Sequence, residues 1–204
     1  MFKVEENEPP YSHIVQIGDP VLRKVSDAVP STLIKTPEIK FLCDRMRHVM
    51  DAYNLVGIAS PQIGISLRII AISCGDHLKA KFTPEVYASK EMSTFPQTVF
   101  INPQIKVVDH KKVIFEESCA SIVGLAAEVS RNYSVEVTAL DLDGKEINHT
   151  FTGWNARIVA HEVDHLNGIL FTDLMNPKTL RNSNWQVINR KNGRIEIPYY
   201  PSEK

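Results

Sequence analysis

The most constraining feature of this sequence is a pentapeptide in its last third, His161-Glu162-Val163-Asp164-His165. Histidines four residues apart project from one face of an α-helix, a spacing that suits two ligands of a tetrahedral metal ion. Glu162 follows the first histidine, where its carboxylate can act as a general base toward water at the metal. The flanking residues are apolar, so we predict a buried helix over residues 154–166. A bound metal would relieve the cost of burying these polar side chains.

A catalytic metal site needs a third protein ligand and an open position. The extended pattern with a third histidine six residues after the second is excluded, because Phe171 occupies that place. Asp173 lies too close along the chain to fold back easily. Cys119, in a polar-flanked segment, is the remaining candidate, since thiolate binds zinc and iron strongly. Its spacing alone leaves open whether Cys119 is a ligand or an inert core residue.

Composition is typical of a soluble globular protein. The 204 residues are 43% hydrophobic and 23% charged, with a net charge of -1, so we expect neither nucleic acid nor a membrane as a partner. No apolar run approaches the length of a membrane span. Three cysteines are an odd and small number for a chain of this length, so they do not indicate a disulfide framework. This favours a reducing compartment. We expect Cys43 to be a small core residue.

Periodicity and turn residues predict an α+β fold, with antiparallel strands packed around a central metal-bearing helix. We treat residues 1–204 as one catalytic domain with a C-terminal extension, a hairpin, from about residue 181. A first helix is expected at residues 37–53 and a surface loop at 75–96. The predicted strands are residues 67–73, 98–102, 105–109, 113–116, 117–122, 134–141, 146–152, 186–189 and 194–198.

Three separated segments resemble the peptide deformylase family. Residues 117–121 (Glu-Ser-Cys-Ala-Ser) are similar to the family's metal-binding cysteine segment, and residues 161–165 match its His-Glu-x-Asp-His segment. Residues 57–62 (Gly-Ile-Ala-Ser-Pro-Gln) resemble the family's glutamine segment. Residues 14–23, near the opening of the chain, also resemble the start of the family's sequences. The likeness runs from about residue 14 to 176. The insertion at 75–96 and the segment at 153–157 are most similar to the animal mitochondrial type.

The resemblance implies an enzyme that removes the formyl group from the N-terminal formyl-methionine of nascent polypeptides and releases formate. The ligands of its metal would be Cys119, His161 and His165. Glu162 would move the proton, and the Gln62 amide with the Ala120 N–H would stabilise the oxyanion. The family usually carries iron(II), while zinc, nickel and cobalt also suit this donor set.

The resemblance also implies a substrate site. The Gly57 N–H would bind the formyl or peptide end, and the peptide would lie as an added strand beside residues 118–122. The remaining substrate contacts expected are Ile58, Ser118, Trp154 and Ile158, of which the last two would line the methionine pocket.

Outside the ligand set, Arg131 matches a family arginine, and we expect it to neutralise Glu117 or Asp164. The chain departs from the family pattern at four positions: Leu55, Ser60, Ser118 and Ala120. We expect Leu55 to stiffen the loop before Gly57 and Ser60 to be a small change. Ser118 would alter the rim of the site, and Ala120 would remove apolar wall while keeping its backbone N–H.

Two other functions remain open at this point. One is a zinc endopeptidase that uses the same pentapeptide, and the other is a non-catalytic metal-binding member that binds nascent chains or ribosomes. Formyl-methionine initiation occurs in mitochondria, so we expect the mitochondrial matrix, with the import sequence absent from this chain, and the cytoplasm is the alternative.

Overall fold

The computed structural model describes residues 8–75 and 82–201. The scaffold is an antiparallel sheet in which β1 to β5 follow one another in chain order and β6 pairs with β4. Within the described ranges, no helix has the length and apolar character needed to cross a membrane. The strands are β1 (Gly57–Ala59), β2 (Ile69–Cys74), β3 (Phe95–Cys119), β4 (Ile122–Leu140), β5 (Glu146–Thr152) and β6 (Arg181–Asn182). The helices are α1 (Pro37–Ala52), α2 (Pro84–Ser89), α3 (Gly153–Leu166), α4 (Phe171–Leu174) and α5 (Trp185–Arg190).

Helix α3 carries the pentapeptide, as predicted, and starts one residue earlier than expected. Val159 and Leu166 are fully buried against side chains of β2, β3, β4 and β5, including Phe100. The helix ends at Leu166, Asn167 is its C-cap, and Gly168 follows with a φ of 70°. A Cβ at Gly168 would lie 2.5 Å from the carbonyl oxygen of Arg23, so only glycine fits this close approach. These contacts fix α3 against the sheet.

Helix α1 packs on a different part of the sheet. Its buried side chains recur at helical spacing, as predicted, and meet β1 and β2. Cys43 is fully buried in this cluster, which confirms it as a core residue. The core around α1 therefore holds β1, and β1 carries Gly57 at one wall of the pocket described below.

Several predicted strands are parts of longer ones. The four strands predicted between residues 98 and 122 are parts of β3, except that residues 120–122 lie beyond its end. β4 begins at Ile122 rather than near residue 134. Asn102-Pro103 and the polar residues 109–111 resemble turns in sequence. In the structure they lie beside register shifts of the β3–β4 ladder, where bulges take up the irregularity. The predicted strand at residues 146–152 is confirmed.

The predicted surface loop at residues 75–96 is wrong in part. Thr83 caps the short helix α2 by accepting a hydrogen bond from the Val86 N–H, 3.4 Å away, and β3 begins at Phe95. Residues 76–81 of that segment lie outside the described residues.

The predicted C-terminal hairpin is also wrong. Residues 185–190 form α5, and residues 194–201 are not in a strand. Asn192 and Gly193 have positive φ values of 51° and 79°, and the Gly193 N–H donates to the Ile188 carbonyl at 2.8 Å. Left-handed residues of this kind end helices as well as forming hairpin turns, which explains the misassignment.

Candidate metal centre and active site

Three potential ligands converge beside α3. Cys119 is the last residue of β3, and His161 and His165 lie one turn apart on α3. One ligand atom from each falls within 4.8 Å of the others. The Cys119 Sγ and the His165 Nε2 are 3.3 Å apart, close to the ~3.6 Å expected for sulfur and nitrogen ligands of one tetrahedral ion.

The donor set fits one divalent metal ion. Cys119 and His165 are 8% and 1% exposed, so the thiol and the imidazole are removed from water and face each other. Burial lowers the pKa of His165, and the neighbouring His161 and Arg131 add to this effect. The histidine is therefore held neutral, which is the form that binds a metal.

Glu117 contacts His161 at Nδ1, the ring nitrogen that is not the expected metal ligand. Its carboxylate lies 3.0 Å from the His161 Nδ1, and it accepts hydrogen bonds from Arg131 at 2.9 Å and from Arg157 at 2.6 Å. Burial opposes ionisation of Glu117, but the hydrogen bonds of Arg131 and His161 outweigh it and hold the pKa below its usual range. An ionised Glu117 favours a proton on the His161 Nδ1, so the Nε2 is available to the metal.

The prediction for Arg131 is confirmed, because it pairs with both Glu117 and Asp164. Sequence reasoning missed Arg157, which is 3% exposed and lies one helical turn before His161. Its guanidinium also donates to the main-chain carbonyls of Val113 at 2.7 Å and Val129 at 2.9 Å. An arginine four residues before a ligand histidine, on the same helix face, is the signal that could have identified it.

Glu162 lies beside the three candidate ligands. It is 5% exposed, and its Oε2 is buried without a hydrogen-bond partner in the described parts of the chain. Burial raises the pKa of Glu162 to about 7, although the nearby His161 acts in the opposite direction. Its carboxylate can therefore both accept and release a proton near neutral pH.

Gly57 is the close neighbour of Glu162. A Cβ at this position would lie 2.5 Å from the Glu162 Oε1, so any larger residue would displace one of the two. β1 is an edge strand, and the Ser73 N–H donates to the Val56 carbonyl at 2.8 Å. Because pairing alternates along antiparallel strands, the Gly57 N–H points away from β2 and is free to bind a ligand.

The Gln62 amide has a fixed orientation. Its Oε1 accepts the Ala59 N–H at 2.9 Å, so its NH₂ group points toward the Cys119 Sγ at 3.7 Å and the Ser121 Oγ at 3.3 Å. Gln62 belongs to a 3-10 turn that ends at Gly64, whose φ is 88°. The amide is thus held as a hydrogen-bond donor beside the candidate metal ligands.

A cavity of about 250 Å³ opens onto these groups. Four of the five expected substrate residues line it, namely Gly57, Ser118, Trp154 and Ile158, and so does Ala120, the expected oxyanion donor. Ile58 does not line the cavity, because successive strand residues face opposite ways and its side chain is fully buried in the core around α1. Leu55 and Val56, which were not predicted as contacts, line the cavity on the β1 side.

Residues 118–122 differ from the predicted strand. Ser118 already pairs with Ala126 of β4, while Ala120 and Ser121 form the turn between β3 and β4. Asp173, considered above as a ligand, instead pairs with Arg23. Phe171 is buried and stacks on the His161 ring, with 6.5 Å between ring centroids.

Comparisons with known proteins identify the family. The family described as polypeptide deformylase matches residues 11–181. The human mitochondrial peptide deformylase is 38% identical over 182 residues, which cover 89% of this chain and 75% of that protein. A chloroplastic peptide deformylase 1A of Solanum lycopersicum is 38% identical over 87% of this chain and 64% of its own length.

Solved structures agree with the sequence matches. The crystal structure of a class I type b peptide deformylase from Acinetobacter baumannii with bound Met-Ala-Ser has a TM-score of 0.71 and 31% identity. The alignment covers 79% of this chain and 96% of that one. A plant peptide deformylase matches over 94% of this chain and 89% of its own, with a TM-score of 0.68 and 28% identity. This chain belongs to the polypeptide deformylase family and is a hydrolase of that class.

Proposed function

We propose that this chain removes the formyl group from the N-terminal formyl-methionine of nascent polypeptides and releases formate. The observation that carries the proposal is the convergence of Cys119, His161 and His165 beside Glu162 and Gln62, at one cavity of a deformylase-family chain. A surface helix with a chance pentapeptide would not bring a thiol from β3 to the same point.

We propose Cys119, His161 and His165 as the ligands of a single metal ion, which supplies a Lewis acid for the formyl carbonyl and for water. Iron(II) is our first candidate because of the family resemblance. Zinc, nickel and cobalt suit the same sulfur and nitrogen donors.

The protein's own groups would move the proton and stabilise charge. Glu162 would take the proton of the attacking water and deliver it to the amine that leaves with the peptide. The Gln62 NH₂ and the Ala120 N–H would donate to the oxygen that gains negative charge. The Ala120 carbonyl accepts a hydrogen bond from Gln16 at 2.9 Å, which helps to hold this turn in place.

The substrate would enter along the free edge of β1. The Gly57 N–H and the Ser118 backbone would bind the peptide, while Trp154 and Ile158 would surround the methionine side chain. The apolar wall formed by Leu55 and Val56 supports an apolar first residue.

We further propose residence in the mitochondrial matrix, with the cytoplasm as the alternative, on the strength of the human mitochondrial relative. Nascent chains are the proposed partners, and contact with the ribosome would bring them to the enzyme. Residues 1–204 are proposed to act as one catalytic domain, in which the C-terminal extension lies against the site.

The test compares two substrates with metal-loaded protein. We expect formate release from formyl-Met-Ala-Ser and no internal cleavage of an unformylated decapeptide. The Cys119→Ala variant should lose both the metal and the activity, whereas Cys74→Ala, which changes a buried cysteine outside the cavity, should keep both. Internal cleavage that persists without Cys119 would support an endopeptidase, and metal binding without formate release would support a non-catalytic member.

A further inference from the structure

The last segment of the chain extends beyond the family match. The match ends at residue 181, and the structure describes a further segment, residues 182–201, which we call the C-terminal strap. The strap contains α5 and then an irregular stretch. One end contacts the β3–β4 hairpin and the other contacts Tyr53, and both of these neighbour residues that line the candidate active-site cavity.

The first end of the strap is fixed to the β3–β4 hairpin. Arg181, which immediately precedes the strap, makes a bidentate ion pair with Glu116 at 2.6 and 2.7 Å, and Glu116 lines the cavity. The Ser183 N–H donates to the Gly124 carbonyl at 2.8 Å. A Cβ on Gly124 would be 3.6 Å from the Ile197 side chain, so the strap packs closely over the hairpin tip.

The second end of the strap reaches the β1 wall. The Tyr53 hydroxyl donates to the Tyr199 carbonyl at 3.0 Å, and the rings of Tyr53 and Tyr200 meet edge to face with 5.6 Å between centroids. Tyr53 immediately precedes Asn54 and Leu55, which line the cavity opposite Glu116 and Ala120.

The strap therefore runs from the β3–β4 hairpin to Tyr53, beside the cavity lined by residues of β3 and of the segment before β1. Tyr199 and Tyr200 remain 61% and 48% exposed, although they are large aromatic side chains fixed in place by Tyr53. Exposed aromatic rings on a supported segment favour contact with another chain.

We propose that residues 197–201 of the strap form a binding wall for the substrate residues that follow the methionine. The wall suits an extended polypeptide with apolar side chains, whose peptide groups and side chains would pack on Tyr199 and Tyr200. This inference rests on the proposed deformylase function and makes the enzyme selective for longer formyl-peptides.

The kinetic test compares formyl-Met-Ala with formyl-Met-Ala-Ser-Leu-Phe. The complete chain should favour the pentapeptide by about tenfold in kcat/KM, equivalent to ~1.4 kcal/mol of additional binding. A double variant, Tyr199→Ala with Tyr200→Ala, and a chain ending at Ser183 should lose this preference but process the dipeptide as before. The matched control, Leu33→Ala with Val108→Ala, removes exposed apolar side chains that do not line the cavity and should keep the preference.

A second measurement does not depend on turnover. A pentapeptide with a photoreactive benzophenone at its fifth residue should cross-link to residues 197–201 of the metal-loaded protein. Cross-links confined to other residues, or an unchanged length preference in the double variant, would overturn the proposal. If the proposed function is wrong, neither peptide will release formate. The cross-link will still show where the peptide binds, so the two failures can be distinguished.

Discussion

Glu117 connects two buried arginines to the first ligand histidine. It accepts hydrogen bonds from Arg131 and Arg157 and lies 3.0 Å from the His161 Nδ1. Removing its charge would leave two guanidinium groups buried beside a weaker partner, which is costly in an apolar interior. The position of His161, a proposed metal ligand, thus depends on a residue outside the proposed ligand set.

We predict that Glu117→Gln lowers metal affinity by about 10- to 100-fold, the range typical for groups that orient a metal ligand. The physical reason is that a neutral amide holds the His161 Nδ1–H less firmly. Competition with a chelator measures the effect. Glu116→Gln, which removes an exposed carboxylate paired with Arg181, is the control and should bind metal as the unaltered protein does.

Gly57 lies directly against the Glu162 side chain. We predict that Gly57→Ala lowers kcat by at least about tenfold, because a methyl group 2.5 Å from the Glu162 Oε1 must move the carboxylate or β1, and small displacements of catalytic groups are costly. Metal content should be unchanged, since the three atoms nearest to the added methyl group all belong to Glu162 and none to a proposed ligand. An unchanged kcat would show that Glu162 does not work in the position seen here.

At the scale of elements, α3 and the β3–β4 hairpin build the site together. The position of α3 could be predicted, because its apolar spacing and the Asn167-Gly168 stop are local signals. The first half of β4 was harder to predict from sequence. Buried and exposed residues do alternate there: the buried ones are Ala127, Val129 and Arg131, and the exposed ones are Glu128 and Ser130. A buried arginine breaks the apolar pattern on which strand prediction depends, and only its two acidic partners explain it.

The segment after α3 is held by an ion pair near the surface. Asp173 accepts the Leu170 N–H at 2.9 Å and pairs with Arg23. The hydrogen bond from Arg23 lowers the pKa of Asp173 below its usual value. A lowered folded-state pKa stabilises the protein at pH values above the unfolded pKa, and this stabilisation is lost as the pH falls through the folded pKa.

We therefore predict that Asp173→Asn destabilises the protein at pH 7 by less than ~1 kcal/mol, as expected for a half-exposed pair. The difference between the variant and the unaltered protein should shrink as the pH is lowered below about 4, near the ordinary pKa of an aspartate. Urea unfolding at pH 7 and pH 3 measures this. A difference that grows at low pH would contradict the assigned pair.

At the scale of the whole molecule, the metal would join the end of β3 to α3. A ligand that binds only the folded state raises stability by about 2.7 kcal/mol at a hundred times its dissociation constant. We predict that the midpoint of thermal unfolding rises with added zinc or cobalt in the unaltered protein, whereas the Cys119→Ala midpoint does not respond. Scanning calorimetry under reducing conditions without oxygen measures the change, and an equal rise in both proteins would exclude Cys119 as a ligand.

Much of the site could be predicted from sequence because its residues occur in short motifs. The ligands, Glu162 and Gln62 fall within such segments, and the structure brings them together at one cavity. The contacts of Arg157 with Glu117, of Gln62 with Ser121 and of the strap with Tyr53 join residues far apart in the chain, so only the folded structure shows them. The inward orientation of the Ile58 side chain could not be predicted, since a three-residue strand gives too little alternation to assign its two faces.

We propose that Glu162 moves the proton at a metal held by Cys119, His161 and His165. The most direct test measures metal content and formate release from formyl-Met-Ala-Ser for the unaltered protein and for Glu162→Gln, both loaded with one ion without oxygen. We predict equal metal content, with formate release reduced at least about 100-fold in the variant, as expected for loss of a general base. Equal rates in the two proteins, or no release from the metal-loaded unaltered protein, would contradict the account.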